Sequence, residues 1–118
     1  ELVRAANSEE TDTVAASLGR ELETLLEIES VGDVRGMGLL RGVEFVADKK
    51  SKQPFEPAEN FAAKVGSEAS KRGLLVYPVQ GCVDGNAGDH VLIAPPAVIT
   101  REQIREAVRS LREAIAAA

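Results

Sequence analysis

A chain of 118 residues has room for one hydrophobic core and not for two. Its formal charge of -5 argues against a nucleic-acid or anionic-membrane surface, since those partners select basic patches. The single cysteine, Cys82, excludes an internal disulfide, and no group of cysteines or histidines has metal-ligand spacing.

Taken in order, Asn7 or Ser8 can cap a helix whose first turn holds Glu9 and Glu10, where the macrodipole favours acids. Val14, Leu18, Leu22, Leu25 and Leu26 follow at helical spacing, which predicts a helix from about Glu9 to Glu29 with one apolar stripe for packing. Next comes Val31 to Val46, V-G-D-V-R-G-M-G-L-L-R-G-V-E-F-V, with Leu40, Val43 and Phe45 alternating imperfectly with Arg41 and Glu44. That pattern predicts two short strand segments meeting at Gly36-Met37-Gly38. A phosphate-cradling glycine loop would have to open a helix, and another strand follows here instead.

Ala47 to Pro54 is polar, rich in lysine and ended by proline, so it reads as an exposed, solvated turn. Pro57 suits the first turn of a helix lined by Phe61, Ala62, Val65 and Ala69 and running to Lys71, with Gly73 just past its end. Leu74 to Tyr77 reads as a short buried strand stopped by Pro78, and Gln80 to Asp89 as a long irregular loop. His90 to Ala94 is the next strand, closed by Pro95 and Pro96. Thr100 with Gln103 then forms a capping box, and Ile104, Ala107, Val108, Leu111 and Ile115 give the last helix its apolar face. Arg101, Arg105, Arg109 and Arg112 interleave with Glu102, Glu106 and Glu113 at distances that allow pairing along that helix.

The order helix, strand pair, helix, strand, strand, helix predicts an α+β fold: a small, largely antiparallel sheet of three to four strands with helices packed on one face. Its core is expected to be aliphatic, because Phe45, Phe55, Phe61 and Tyr77 are the only aromatics. No apolar run approaches the roughly 20 residues of a membrane-spanning helix and no charged-then-apolar leader opens the chain, so no membrane is expected and the location is expected to be cytoplasmic. The chain opens at Glu1 without an initiator Met, which points to a piece of a longer polypeptide.

The residues carry no catalytic signature of their own: no G-x-S-x-G elbow, no H-E-x-x-H, no paired Cys and His, no Walker lysine. Cys82 reads as an inert loop residue or a nucleophile, and His90 as a structural residue or a base.

The segment Val31 to Val46, then R-G-L-L-V-Y-P at Arg72 to Pro78, then G-D-H-V-L-I-A-P-P-A-V-I-T at Gly88 to Thr100 with its closing helix, resemble the C-terminal small domain of class III aminotransferases. These are pyridoxal 5'-phosphate enzymes of fold type I. The resemblance covers nearly the whole chain, so residues 1–118 are expected to be one domain of a longer enzyme that moves an amino group between an amine or ω-amino acid and an oxo acid. It implies that the cofactor and its lysine belong to a large catalytic domain of the same polypeptide, and that the full-length enzyme is a homodimer. None of Lys49, Lys50, Lys52, Lys64 and Lys71 matches the family's lysine motif, so no catalytic residue is expected here and the chain alone is expected to be inactive.

Many members clamp a substrate carboxylate with an arginine of this domain, by a two-pronged hydrogen bond. Ornithine-type members carry it just before F-A-P-P, where this chain has Leu92. Several ω-amine members and the diaminopelargonate enzymes carry it at the end of the preceding strand, where this chain has Tyr77. Tyr77, Arg35 and Arg41 are therefore the candidate substrate-binding residues. Tyr77 can present a hydroxyl or rest half-buried beside Pro78, and Arg35, part of R-G-x-G-L, can bind an anion or brace the strand bend. Two alternatives accompany this reading: an aminomutase-like isomerase domain related to the glutamate-1-semialdehyde enzymes, and a non-enzymatic small-molecule-binding α+β module.

Overall fold

The computed structural model describes residues 14–81, 87–96 and 98–118. The expected cap at Asn7 or Ser8, the first helical turn and Cys82 lie outside these residues.

The first helix, α1, covers residues 14–23, with Val14, Leu18 and Leu22 buried at four-residue intervals. It does not run on to Glu29. The chain tightens into a 3-10 turn at Thr24–Glu27 and becomes extended at Ile28, so Leu25 is buried while Leu26 leaves the stripe. The carbonyls freed at this end find donors elsewhere: Arg112 Nη2 reaches Thr24 O at 3.2 Å, and Lys49 Nζ reaches Ile28 O at 2.9 Å and also Leu26 O. Lys52 Nζ likewise donates to Gly32 O. The loop expected to be solvated thus uses two of its three lysines to hold the chain on either side of Val31.

β1 (Val31–Met37) and β2 (Leu40–Phe45) form an antiparallel hairpin. Gly38, at φ 59°, and Leu39 are its two-residue turn, the type II' pattern that matches strand twist. Gly36 allows the strands to close there, because a Cβ on it would lie 2.2 Å from Leu40 O.

Pro57 begins a separate 3-10 turn, Pro57–Glu59, and Asn60 at φ 50° breaks the chain before α2 (Phe61–Lys71) starts. No side chain beside this helix start caps it. The donor at Ala62 N is met by Asp89 Oδ2, 2.7 Å away on a strand distant in sequence. The other end follows the local signal: Gly73 at φ 80°, with Gly73 N bonded to Ser70 O at 3.0 Å and Leu74 N to Ala69 O at 2.9 Å, is a Schellman motif.

The third strand differs most from expectation. β3 is Tyr77–Gln80, so it begins where a stop is predicted and includes Pro78. β3 is an edge strand bonded only to β4 (Asp89–Ile93). Gly81 N donates to Gly88 O at 2.8 Å. Hydrogen-bonded pairs alternate along an antiparallel ladder, so Pro78, opposite Val91, occupies a non-bonded position and its missing N–H faces away from the sheet.

α3 (Arg101–Ala117) carries the predicted capping box, with Gln103 N to Thr100 Oγ1 at 3.1 Å and Thr100 N to Gln103 Oε1 at 2.9 Å. Its ion pairs leave the helix: Arg112 meets Glu27 at 2.5 Å and Glu113 meets Arg72 at 3.8 Å, with none along α3 itself among the described residues. Charge thus ties α3 to the chain ends of α1 and α2.

The four strands are antiparallel in the order β1-β2-β4-β3. Val43, Phe45, Val91 and Ile93 are buried against the helices with Leu18, Val65, Ile104 and Leu111. The core is mainly aliphatic, with one aromatic group at the start of α2: Phe61 stacks on Phe55 at 4.2 Å and meets Phe45 edge-on at 5.1 Å. The result is the expected α+β fold, with a sheet face opposite the core that no helix covers among the described residues.

Candidate functional site

Partners directly opposite each other in antiparallel strands share a face, so the register sorts the candidate residues. Arg35 opposes Gly42, Gly42 opposes Leu92, and Leu92 opposes Tyr77. These four residues make one row straight across the open face, the one that no described helix covers. A second row beside it is Asp33, Glu44, His90 and Val79. Leu92 and Tyr77, far apart in sequence, are therefore cross-strand neighbours.

Arg35 donates to Asp33 at 2.9 Å and to Glu44 at 3.3 Å, both on its own face. The hydrogen bond to Asp33, with Glu44 behind it, raises the guanidinium pKa above its ordinary value against the opposing effect of burial. Tyr77 is 57% exposed, and its hydroxyl bonds to no described residue. It stands where the open face meets an apolar crevice of about 290 Å³ lined also by Leu75, Pro95, Pro96 and Ile99.

Arg41 borders, with Arg35, Gly42 and Leu92, a depression of about 400 Å³ at the open face, yet its donors are used on the other side of the sheet. It opposes Ile93, on the core side, where its Nε donates to Gly38 O at 2.8 Å and its Nη2 to Ala15 O at 3.1 Å. The guanidinium lies over Gly19 of α1, within 3.1 Å of where a Cβ would be, so it braces the hairpin turn against that helix.

Three further residues matter that the sequence reading passes over or leaves undecided. Asp89, read as the end of a loop, is the buried first residue of β4 and caps α2. The signal for it was alternation: Asp89, Val91 and Ile93 share the inward phase. Glu44 and His90 face each other across β2 and β4, and His90 Nδ1 is buried without a partner.

None of the lysines is set to hold an aldehyde cofactor. Lys49 and Lys52 are bound to backbone carbonyls and Lys71 to Glu68. Lys50 is exposed in the loop, and Lys64 borders a surface depression with Ser67, Glu68 and the end of α3, where carbonyls and a carboxylate repel a phosphate. Neither the depression on the open face nor the crevice at Tyr77 has a lysine in its lining. The residues present do not fit pyridoxal phosphate. Among the described residues no acidic, cysteine or histidine cluster is arranged to hold a metal, and no helix is long and apolar enough to cross a membrane.

Residues 2–115 match the family model for class-III aminotransferases. The chain belongs to the class III aminotransferase family. An uncharacterized aminotransferase of Schizosaccharomyces pombe is 46% identical over an alignment 110 positions long that covers 86% of this chain and 23% of that protein. The crystal structure of adenosylmethionine-8-amino-7-oxononanoate aminotransferase from Methanocaldococcus jannaschii superposes with a TM-score of 0.83 at 30% identity, covering 98% of this chain and 24% of that one. An amine transaminase from an uncultivated Pseudomonas species, solved with pyridoxal phosphate bound, gives a TM-score of 0.80 at 31% identity over 97% of this chain and 24% of its own. This class III chain thus spans less than a quarter of the length of these relatives.

Proposed function

We propose that this chain is the C-terminal, substrate-facing domain of a class III aminotransferase that moves an amino group between an amine or ω-amino acid and an oxo acid. In this reading the pyridoxal 5'-phosphate and its lysine belong to a large catalytic domain of the same polypeptide, and this chain by itself does not transaminate. When bound there, the cofactor supplies an electron sink for the carbon that exchanges its amino group.

The observation that carries the reading is the row Arg35–Gly42–Leu92–Tyr77 on a face that no helix covers among the described residues, while every lysine is engaged or placed elsewhere. Tyr77 offers a phenolic hydroxyl with an apolar crevice beside it, which suits an uncharged part of an amine substrate. Arg35 is the cation of that row, already balanced by Asp33 and Glu44. Arg41 serves as a brace for the hairpin turn rather than as an anion contact.

The test is to mix the chain with pyridoxal phosphate, reduce with borohydride and map modified lysines by peptide mass. Absence of a stoichiometric, site-specific adduct is expected, alongside amino transfer by the full-length gene product that requires an oxo-acid acceptor. One lysine labelled stoichiometrically would overturn the division of labour. Activity in the full-length protein without any acceptor would make it an aminomutase.

A further inference from the structure

Gly66 lies in the middle of α2, where glycine weakens a helix relative to alanine and no left-handed φ calls for it. Its reason is on the neighbouring strand. The three atoms nearest a Cβ built there all belong to Pro78: Cγ at 3.2 Å, Cδ at 3.5 Å and Cβ at 3.6 Å. The proline ring therefore rests on the helix backbone itself, closer than an alanine at 66 would allow without a shift. Pro78 opposes Val91, which is buried on the helix side of the sheet, so the two share that face. Tyr77, the residue before it, opposes Leu92 and points to the other face.

We infer that Gly66 and Pro78 are positioning residues: the contact between them fixes the height of β3 above α2 and so decides where the Tyr77 hydroxyl stands. This rests on the proposed function, which puts Tyr77 in the substrate's path. β3 is four residues long and is bonded on one side only, to β4, so pairing leaves it able to tilt about those bonds, out of the plane of the sheet. What stops the tilt comes from α2 and the turn that leads into it. Pro78 rests on Gly66, and Gln80 Nε2 donates to Pro57 O at 3.2 Å and weakly to Asp89 Oδ2, the cap of α2, at 3.4 Å. Tyr77 has no such support of its own. Its ring is 57% exposed and its hydroxyl bonds to no described residue, so a tilt of the strand is carried directly to the hydroxyl.

The experiment uses the full-length gene product labelled with fluorotyrosine, in which the fluorine resonance of Tyr77 is the one lost in Tyr77→Phe. Gly66→Ala puts a methyl group against the proline ring and should move that resonance, whereas Lys64→Ala, at an exposed position of the same helix, should not. Adding Pro78→Ala removes the ring atoms Cγ and Cδ and should bring the resonance back toward the parent position. Amino transfer to an oxo acid is measured on the same proteins. Gly66→Ala should lower kcat/KM for the amine by about three- to tenfold, the scale of one hydrogen bond, through KM and with kcat nearly unchanged, while circular dichroism stays as in the parent. In a Tyr77→Phe background the same Gly66→Ala should lower it no further.

A Tyr77 resonance that Gly66→Ala leaves unmoved, or that Pro78→Ala fails to restore, overturns the inference on geometry alone. Equal losses from Gly66→Ala with and without the Tyr77 hydroxyl overturn it as well, because α2 would then act through another group. Amino transfer that is indifferent to Tyr77→Phe keeps the enzyme and overturns the positioning role. The functional reading fails separately: a parent protein that transfers no amino group removes that reading, and the resonance still decides whether α2 fixes Tyr77.

Discussion

Replacing Asp89 tests whether β4 and α2 are held together by one carboxylate. Asp89 is 1% exposed, its Oδ2 accepts from Ala62 N at 2.7 Å and, weakly, from Gln80 Nε2 at 3.4 Å, and its Oδ1 is buried with no partner. In Asp89→Ala the Ala62 donor is left buried at a helix start that has no other side-chain cap. Loss of a helix cap costs about 0.5–2 kcal/mol. A hydrogen bond to a charged group contributes about 1.5–3 kcal/mol. The two describe the same contact, so the sum is not taken, and about 2 kcal/mol is expected. That corresponds to a melting temperature lower by roughly 8 °C, or a urea midpoint lower by about 1 M.

Asp89→Asn behaves differently. Its amide oxygen can still accept from Ala62 N, and removal of a buried charge offsets the weaker bond, so a loss under about 1 kcal/mol is expected. The assay is urea unfolding of the chain followed by circular dichroism, with hydrogen exchange at Ala62 and Ala63 to locate the effect. Asp89→Ala within about 0.5 kcal/mol of the parent, or Asp89→Asn more damaging than Asp89→Ala, would refute the reasoning, because the helix start would then be satisfied by something else.

Four other expectations follow from the same structure. Gly36→Ala should destabilise by about 2 kcal/mol or more in urea unfolding, since its Cβ would fall 2.2 Å from Leu40 O at φ 146°. Gly42→Ala in the same strand pair should leave the isolated chain unchanged or more stable by about 0.5–1 kcal/mol. The hydrogen bond from Arg72, helped by Lys71, holds the Glu68 carboxyl below its ordinary pKa. A depressed folded pKa adds stability above the unfolded pKa and loses it as pH falls through the folded one, so a stability difference between the parent and Glu68→Gln should be present at neutral pH and vanish in acid, read from urea midpoints across that range. In the full-length enzyme, Tyr77→Arg should raise kcat/KM for an amino donor bearing a carboxylate by about tenfold relative to a plain amine, the scale of one charge-assisted bidentate bond, and an unchanged ratio would take Tyr77 out of the substrate's path.

What this sequence determines by itself is everything whose physics is local. The Thr100–Gln103 box and the Schellman end at Gly73 are complete within a few residues, and both are where the pattern puts them. The alternation of Val43 with Phe45, and of Val91 with Ile93, depends only on strand geometry, and the glycines at 36 and 38 only on backbone sterics.

Tertiary structure decided the rest, because it hinges on which elements become neighbours. Pro78 reads as a stop until β3 proves to be an edge strand in which its missing donor points outward. The end of α1 reads as helix until Arg112 and Lys49 arrive at its carbonyls from distant segments. The start of α2 has no local cap because Asp89 supplies it across 27 residues of chain. Arg35 and Arg41 look equivalent along a strand of period two. The registers put one on the open face, at the β1 end of the row that runs through Leu92 to Tyr77, and the other under the sheet against α1. Pairing register is set by long-range hydrogen bonding and burial, which no short window of residues contains, and the row of candidate residues exists only once that register does.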